Sequence, residues 1–492
     1  MAEAFSVKLS QARAPFVLAL DVGSTASRGG LFDATGRPII GTRIKVDHDF
    51  TTSQSGRSEI SPDAVVDEVA AIIDAIAAPK FTGQIAAVGL DTFSSAVVGV
   101  DDGDAITPCF TYADSRPRED VLTLRRTTDE AALQRRTGTR FHSSYLPARL
   151  HWLRRTDPDT FDLASTWMSL GEYVYEQLLG VHGVSMASAA WTGLLNRHTG
   201  EWDPETLALA GITPSHLAPI LPGDATFTTP RDVAKRWPAL SDAAWVPSVP
   251  DGLAATLGPG TNARTITLGS STSGAMRVLV DGVPPDVPDG LWAYRVHEEK
   301  TLLGGALNDV GRMVTWLDST LSLPSKAVRE SWMHGRPNPA SPIVLPFLTG
   351  ERSTGWRSDA RAVVFDLGEN SDPAAIYRGT IEGIAMTYRR VAEQMAEVTG
   401  ESDGIIATGG ITQSFPSWLQ VLANVLGTPV TPKAMKRSTL RGAALLALDQ
   451  VAPDVERAVH EAADPVTPNR AWVAEYNARY ERFCELYETL FG

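Results

Sequence analysis

The segment ALDVGSTASRGGLFDATG (residues 19–36) constrains this chain most, because an apolar strand beginning at Phe16 ends in Asp21 and runs directly into Gly23, Ser24, Thr25 and Ser27. A carboxylate at the end of a buried strand is costly unless it is paired or holds a cation, and small hydroxyl residues beside a glycine let backbone N–H groups approach an anion. Phosphate and metal together point to a nucleotide. The same residues also read as a strand closing in a polar hairpin around Gly29, Gly30 and Gly36, so this segment leaves both readings open.

A chain of 492 residues exceeds one ordinary core, and two or three domains are expected. The net charge of −14, from 44 basic and 58 acidic residues with no basic run, argues against nucleic acid and anionic membranes as partners and favours small molecules. Cys109 and Cys484 stand far apart without CxxC spacing, which excludes a disulfide scaffold and a cysteine zinc site and suits a reducing cytoplasm. No targeting signal is read, and no run approaches the ~20 apolar residues that span a bilayer.

Strand-like and helix-like segments alternate, predicting an α/β architecture. In SPDAVVDEVAAIIDAIAA, Ser61 can cap, Pro62 suits the first helical position, and Val65, Val69, Ile72, Ile73 and Ile76 share one face. The strand IAAVGLD follows and ends at Asp91. A proline-spaced stretch from Pro247 to Pro250 precedes a second half that opens with TITLGSS, a small-residue turn and GAMRVLV. This echoes the first half and predicts domains 1–247 and 248–492. VPPDVPDG and MHGRPNPASP read as surface loops, and the stripe Trp472, Tyr476, Tyr480, Phe483 and Tyr487 reads as a helix packed on a core.

The chain has no GxxxxGK[ST] loop, no GxGxxG and no glycine-rich kinase loop with its lysine. Phosphates would have to be held by paired hairpin turns. In PDGLAATLGPG, Asp251 can cap a helix, or it can orient and deprotonate an attacking hydroxyl in phosphoryl transfer. DTFSS, TYADSR with Asp114 and Arg116, and GERSTGWRSDAR with Glu351, Arg352 and Trp356 carry the planar polar groups and aromatic faces that bind sugars, or equally loop salt bridges and packed rings. In GIIATGGITQS, Gly409 and Gly410 would let a flat ring lie against the backbone.

In this order the segments resemble the FGGY carbohydrate kinases, most closely the gluconate kinase branch, from about residue 15 to the end. The likeness is carried by LALDVGSTASRGGLFD, GLDTFSSAVVGVD, TYADSRP, SMASAAWTGLLNRHTGEWD, PDGLAATLG, ITLGSSTSGAMRV, LPFLTGERSTGWRSDARAVVFDL and ATGGITQSFPSWLQVLANVLG. The resemblance implies two actin-like, ribonuclease-H-like α/β domains with a cleft between them, closing over ATP and a sugar, with Mg2+ carried on the phosphates. It implies Asp251 as the catalytic base and Asp21 at the metal. Gly23, Ser24, Thr25 and Arg28 match the first phosphate hairpin, and Ser270 and Ser271 the second. Gly311, Gly409, Gly410 and Ser414 match nucleotide contacts. Ser94, Ser95, Asp114, Arg116, Asp251 and Gly252 match the substrate side. The implied reaction is transfer of the ATP γ-phosphoryl group to a sugar acid such as gluconate, whose carboxylate Arg116 or Arg149 could meet. Xylulose or glycerol as acceptor, a non-catalytic sensor of the same fold, and a homodimer all stay open.

Three departures stand out. Pro250 precedes Asp251 where relatives show Gly-Asp-Gly, and the second hairpin reads GSSTSGA rather than GTSGA. Arg437 also replaces a common glutamate, for which the sequence suggests no reason.

Overall fold

The computed structural model describes residues 5–260, 264–433, 435, 437–461 and 463–492, except the side chains of Gln413 and Ser414. The elements that position the site are, in chain order, β1 (Phe16–Val22), β2 (Ala26–Phe32), β3 (Ile44–Asp47), α1 (Pro62–Ile76), β4 (Ile85–Thr92), β5 (Phe227–Thr228), β6 (Ala244–Pro250) and α2 (Asp251–Leu257). There follow β7 (Thr265–Ser270), β8 (Gly274–Asp281), β9 (Trp292–His297), β10 (Lys300–Leu307), α3 (Gly311–Thr320), α4 (Pro373–Thr399), β11 (Gly404–Thr408), β12 (Val430–Pro432), α5 (Ser438–Val451) and α6 (Val473–Phe491).

Two compact units result. The first comprises Met1–Thr261, Tyr294–Thr301 and Lys436–His460; the second comprises Asn262–Ala293, Leu302–Met435 and Glu461–Gly492. The expected division at 247/248 falls inside β6, and α5 groups with the first unit although it lies late in the chain. The reason is burial: Leu440, Ala443, Ala444, Ala447 and Leu448 of α5 form one apolar cluster with Val17, Ala19 and Ala87. Without α5 that sheet face would lie open to water.

The first unit is built on a six-stranded sheet in the order β5-β6-β4-β1-β2-β3. β1 pairs antiparallel with β2 and parallel with β4, which in turn pairs parallel with β6. Every residue of β1 is buried, as a strand covered on both faces requires. On one face Gly29 makes room for Ile72 and Ile76 of α1, since a Cβ there would lie 2.4 Å from Ile72. α1 begins as its sequence predicts, with Ser61 Oγ accepting from the Ala64 N–H at 3.2 Å.

A second six-stranded sheet has the order β9-β10-β8-β7-β11-β12, of which β7, β8, β11, β12 and β10 from Leu302 onward belong to the second unit. An antiparallel hairpin, β7 and β8, again lies beside a parallel strand, β11. The echo in the sequence is therefore an echo of topology. Tyr476, Tyr480, Phe483 and Tyr487 of α6 are buried in the core of this unit, as their spacing predicts. Among the described residues no helix is long and apolar enough to cross a membrane.

Candidate functional site

In the first unit, sheet register assembles the charged residues. Asp21 of β1 stands directly between Arg28 of β2 and Asp91 of β4. Val249 of β6 is registered with Asp91, so that α2 starts with Asp251 at the same end of the sheet. Asp251 is the first residue of α2 and its carboxylate accepts a hydrogen bond from Ser94. Pro250 precedes it at the cap position with no side-chain cap bond.

The turn from Gly23 to Ala26 closes with a 3.1 Å bond from the Gly23 N–H to the Ala26 carbonyl. Among the described residues no acceptor meets the backbone N–H groups of Ser24 and Thr25, which leaves them for an anion. Thr25 is exposed. Arg28 reaches over the turn: its guanidinium donates to the Ala26 carbonyl at 3.3 Å and pairs with Asp21 at 3.5 Å. A Cβ on Gly23 would stand 3.0 Å from that guanidinium, so glycine keeps it in place. His48 braces the turn from outside, 2.8 Å from the Gly23 carbonyl and 2.8 Å from Glu68 of α1.

Asp91 was missed as a site residue in the sequence, although IAAVGLD carries the signal that singled out Asp21: an apolar run ending in aspartate. It is wholly buried, and among the described residues no donor meets either carboxylate oxygen. Burial, reinforced by the charges of Asp21 and Asp251, holds its carboxyl well above the usual range. Asp21 is pushed up to about 6, again by burial, with Arg28 opposing the shift and Asp251 adding to it. The unpartnered oxygens of Asp91 beside Asp21 suit a hydrated divalent cation. Among the described residues no group of three or more His, Cys, Asp or Glu side chains forms a metal cage, so most of the ligands would have to be phosphate and water oxygens.

The shift of Asp21 has a sign that can be checked. The unfolded chain loses this proton near 3.8 and the folded chain only near 6, so its contribution to stability is full below pH 4 and lost as pH rises to about 6. The loss is about 3 kcal/mol for a shift of this size. The stability of Asp21→Asn relative to wild type should therefore increase by about that amount between pH 4 and pH 7 in urea unfolding. A difference that stays level across this range would show that Asp21 is not held protonated by the fold.

Among the residues expected at the substrate, Ser95 has a left-handed backbone (φ 55°) and donates to the Trp191 carbonyl at 3.2 Å. Trp191 stacks on Tyr294 with ring centroids 3.8 Å apart, an aromatic wall that no local pattern in the sequence announces. Gly252, on the first turn of α2, is buried. Asp114 and Arg116 bind each other and Glu59: the Asp114 carboxylate accepts from Arg116 at 3.0 Å and from the Ser58 N–H at 3.2 Å, and Arg116 reaches Glu59 at 2.5 Å.

Arg149 is not available to a ligand carboxylate. It is 0% exposed and donates to the carbonyls of Ser95, Phe110, Thr111 and Ser143 at 2.8–3.1 Å. It thus holds the loop that carries Ser94 and Ser95. Trp356 is likewise packed, 2% exposed with its indole N–H on the Gly290 carbonyl at 3.1 Å, and Glu351 pairs with Arg390 at 3.0 Å.

In the second unit, the turn after β7 leaves Ser271, Thr272 and Ser273 exposed. Ser270 is buried and lies 3.1 Å from the Tyr388 hydroxyl. The turn is tied to α3, because Gly311 donates its N–H to Ser271 at 2.8 Å and Arg312 donates to Thr272 at 3.0 Å. Glycine is required at both contacts: a Cβ on Gly311 would stand 2.5 Å from the Ser271 carbonyl, and one on Gly409 (φ 101°) 2.3 Å from the Ser270 carbonyl. Among the described residues nothing lies within 4 Å of a Cβ built on Gly410. The side chain of Ser414 lies outside the described residues. Beside these glycines is an apolar cavity of ≈ 180 Å³, lined by Val310, Val314, Ile384, Ile411 and Phe415, with Lys326 and Arg329 as its cations. It has the apolar lining and few polar groups of a small-molecule pocket.

The comparisons with known proteins agree over nearly the whole chain. The model for the N-terminal domain of the FGGY family of carbohydrate kinases matches residues 16–257, and that for the C-terminal domain matches residues 266–450. A gluconokinase of Bacillus subtilis (strain 168) is 23% identical over 451 residues, covering 88% of this chain and 87% of its own. A glycerol kinase of Allorhizobium ampelinum is 28% identical over 462 residues, covering 89% and 90%. Among solved structures, gluconate kinase from Lactobacillus acidophilus superposes with a TM-score of 0.89 at 25% identity, covering 97% of this chain and 98% of its own. A ligand-bound xylulose kinase from the same organism gives 0.89 at 25% identity, covering 98% of each. With both family domains matched in sequence order and two strand-end carboxylates beside the first turn, the chain belongs to the FGGY family of carbohydrate kinases.

Proposed function

We propose that this kinase transfers the γ-phosphoryl group of ATP to a hydroxyl of a sugar acid of the gluconate class, with Asp251 as the base. The observation that carries the reading is the placement of Asp251: first residue of a helix, hydrogen-bonded by Ser94, at the same sheet end as the Gly23–Ala26 turn. The gluconokinase relatives, matched over 88% of this chain, support the acceptor class.

In this reading the acceptor hydroxyl donates its proton to Asp251 as the new bond to phosphorus forms, and Ser94 keeps the carboxylate aimed. In the first unit the open N–H groups of Ser24 and Thr25, with Arg28, take phosphate oxygens; in the second unit the exposed Ser271–Ser273 turn offers phosphate donors of its own. The apolar cavity beside Gly311 and Gly410 takes the base. Magnesium, bound on the phosphates, supplies charge neutralisation, and Asp21 with Asp91 would hold its water shell. Two free thiols far apart in sequence, one buried and pushed up to about 12 by burial, suit action in a reducing cytoplasm.

One observation favours a second reading. Both arginines that a sugar-acid carboxylate could use are engaged elsewhere, Arg149 on carbonyls and Arg116 on Asp114 and Glu59, which suits a neutral ketopentose or polyol. A coupled assay of ADP release over gluconate, other sugar acids, pentuloses and polyols decides between them. Sugar-acid turnover with the highest kcat/KM is the expected result. Preference for a pentulose or glycerol would replace the first reading by the second, and ADP release without any acceptor dependence would overturn both.

A further inference from the structure

Arg437 takes no part in the site described above, yet its position is unusual. It precedes the first turn of α5 with its backbone in the left-handed region, φ 65° and ψ 48°, which a residue with a side chain occupies at a cost. It provides no side-chain cap for the helix, so the first N–H groups of α5 keep their partial positive charge.

Sheet register brings two further guanidinium groups to the same place. In the β2/β3 ladder Arg28 opposes Lys45 and Gly29 opposes Ile44. Side chains alternate along a strand, so Arg43, two residues before Lys45, falls on the face of Arg28 and Gly30. That is the face α5 covers, since a Cβ built on Gly30 would lie 3.8 Å from Leu440 and 4.0 Å from the Arg43 backbone. Burial and the like charges of Arg43 and Arg28 hold the Arg437 guanidinium below its ordinary range. Lys45 is paired with Asp47 and Arg28 with Asp21. Among the described residues no carboxylate pairs with Arg43 or Arg437.

Like charges that act on one another repel until an anion enters, and a guanidinium fork matches phosphate oxygens in pairs. We propose that Arg437 and Arg43 extend the Arg28 site into a three-arginine clamp on the polyphosphate chain of the nucleotide, an inference that rests on the kinase reading above. An arginine at 437 then has a function that glutamate would oppose.

The test is calorimetric binding of Mg·ATP, Mg·ADP and adenosine to the wild type, Arg437→Gln, Arg43→Gln and Arg437→Glu, with circular dichroism as the check on folding. Arg437→Gln should weaken Mg·ATP about 10- to 100-fold and leave adenosine unchanged, as loss of a charge-assisted pair predicts. Arg43→Gln, an exposed position that does not threaten folding, should weaken it less, and Arg437→Glu should weaken it most. The slope of log affinity against log salt should become shallower in each variant. Mg·ATP affinity within twofold of wild type in both glutamine variants would overturn the clamp and leave the kinase reading standing. A wild type that binds no nucleotide would overturn the kinase reading and the clamp together.

Discussion

Asp251→Asn should lower sugar-dependent ADP release by about 10²- to 10⁴-fold, the usual contribution of a positioned general base. Asparagine keeps the shape of the side chain and its amide oxygen can still accept the bond from Ser94, so α2 should keep its start and the protein its fold. What is lost is the capacity to take the acceptor's proton. KM for the sugar should move far less than kcat, because a group that acts as the bond forms contributes mainly to the transition state. The measurement is initial-rate kinetics at saturating Mg·ATP, with thermal melts of both proteins. A folded Asp251→Asn that turned over near the wild-type rate would remove Asp251 from the chemistry and return it to the cap role.

Gly442→Val should be strongly damaging although it lies outside the site. Gly442 lies on α5, and a Cβ there would stand 1.9 Å from the carbonyl oxygen and 2.5 Å from the carbonyl carbon of Ala254 on α2. Those are backbone atoms, so no side-chain rotation can relieve the overlap and the helices must part. Gly258 marks the reciprocal approach: a Cβ there would stand 1.8 Å from the Ser438 carbonyl oxygen. Overpacking of this kind costs about 1–3 kcal/mol or more. Asp251 also stands one turn before Ala254, so the displacement passes directly to the base, and a shift of about 1 Å can cost roughly 10² in rate. The expected result is a clearly lowered melting temperature together with a fall in kcat. Gly30→Ala is the control, because its Cβ meets only ordinary contacts at 3.8 Å and 4.0 Å, and it should remain close to wild type in melting temperature. A Gly442→Val protein that melted like wild type would show that α2 and α5 are not held at this separation.

Much of the site was legible because its residues are near one another in sequence. Gly23, Ser24, Thr25 and Arg28 share one hairpin with Asp21, and Ser270 and Ser271 share one with β8. Local pattern was enough there, since hairpin geometry follows from chain direction and small residues. It was not enough for Arg149, which looked like a cation for a substrate and is a buried strut on four carbonyls. Nor was it enough for Trp356, whose exposure depends on what covers it. Asp91 had the right local pattern, but its importance comes from standing beside Asp21 in parallel register, a pairing of residues seventy positions apart.

The sequence by itself determined the alternation of strands and helices, the two small-residue turns, the carboxylate that opens α2 and the family likeness, since each is written in short stretches whose periodicity and backbone demands act locally. The tertiary structure alone decided that α5 closes the first unit, that Asp91 joins Asp21 in a buried pair, and that Arg437 before α5 feels the charges of Arg28 and Arg43. Burial, register and the summing of charge depend on which distant segments pack together, and no local stretch encodes that.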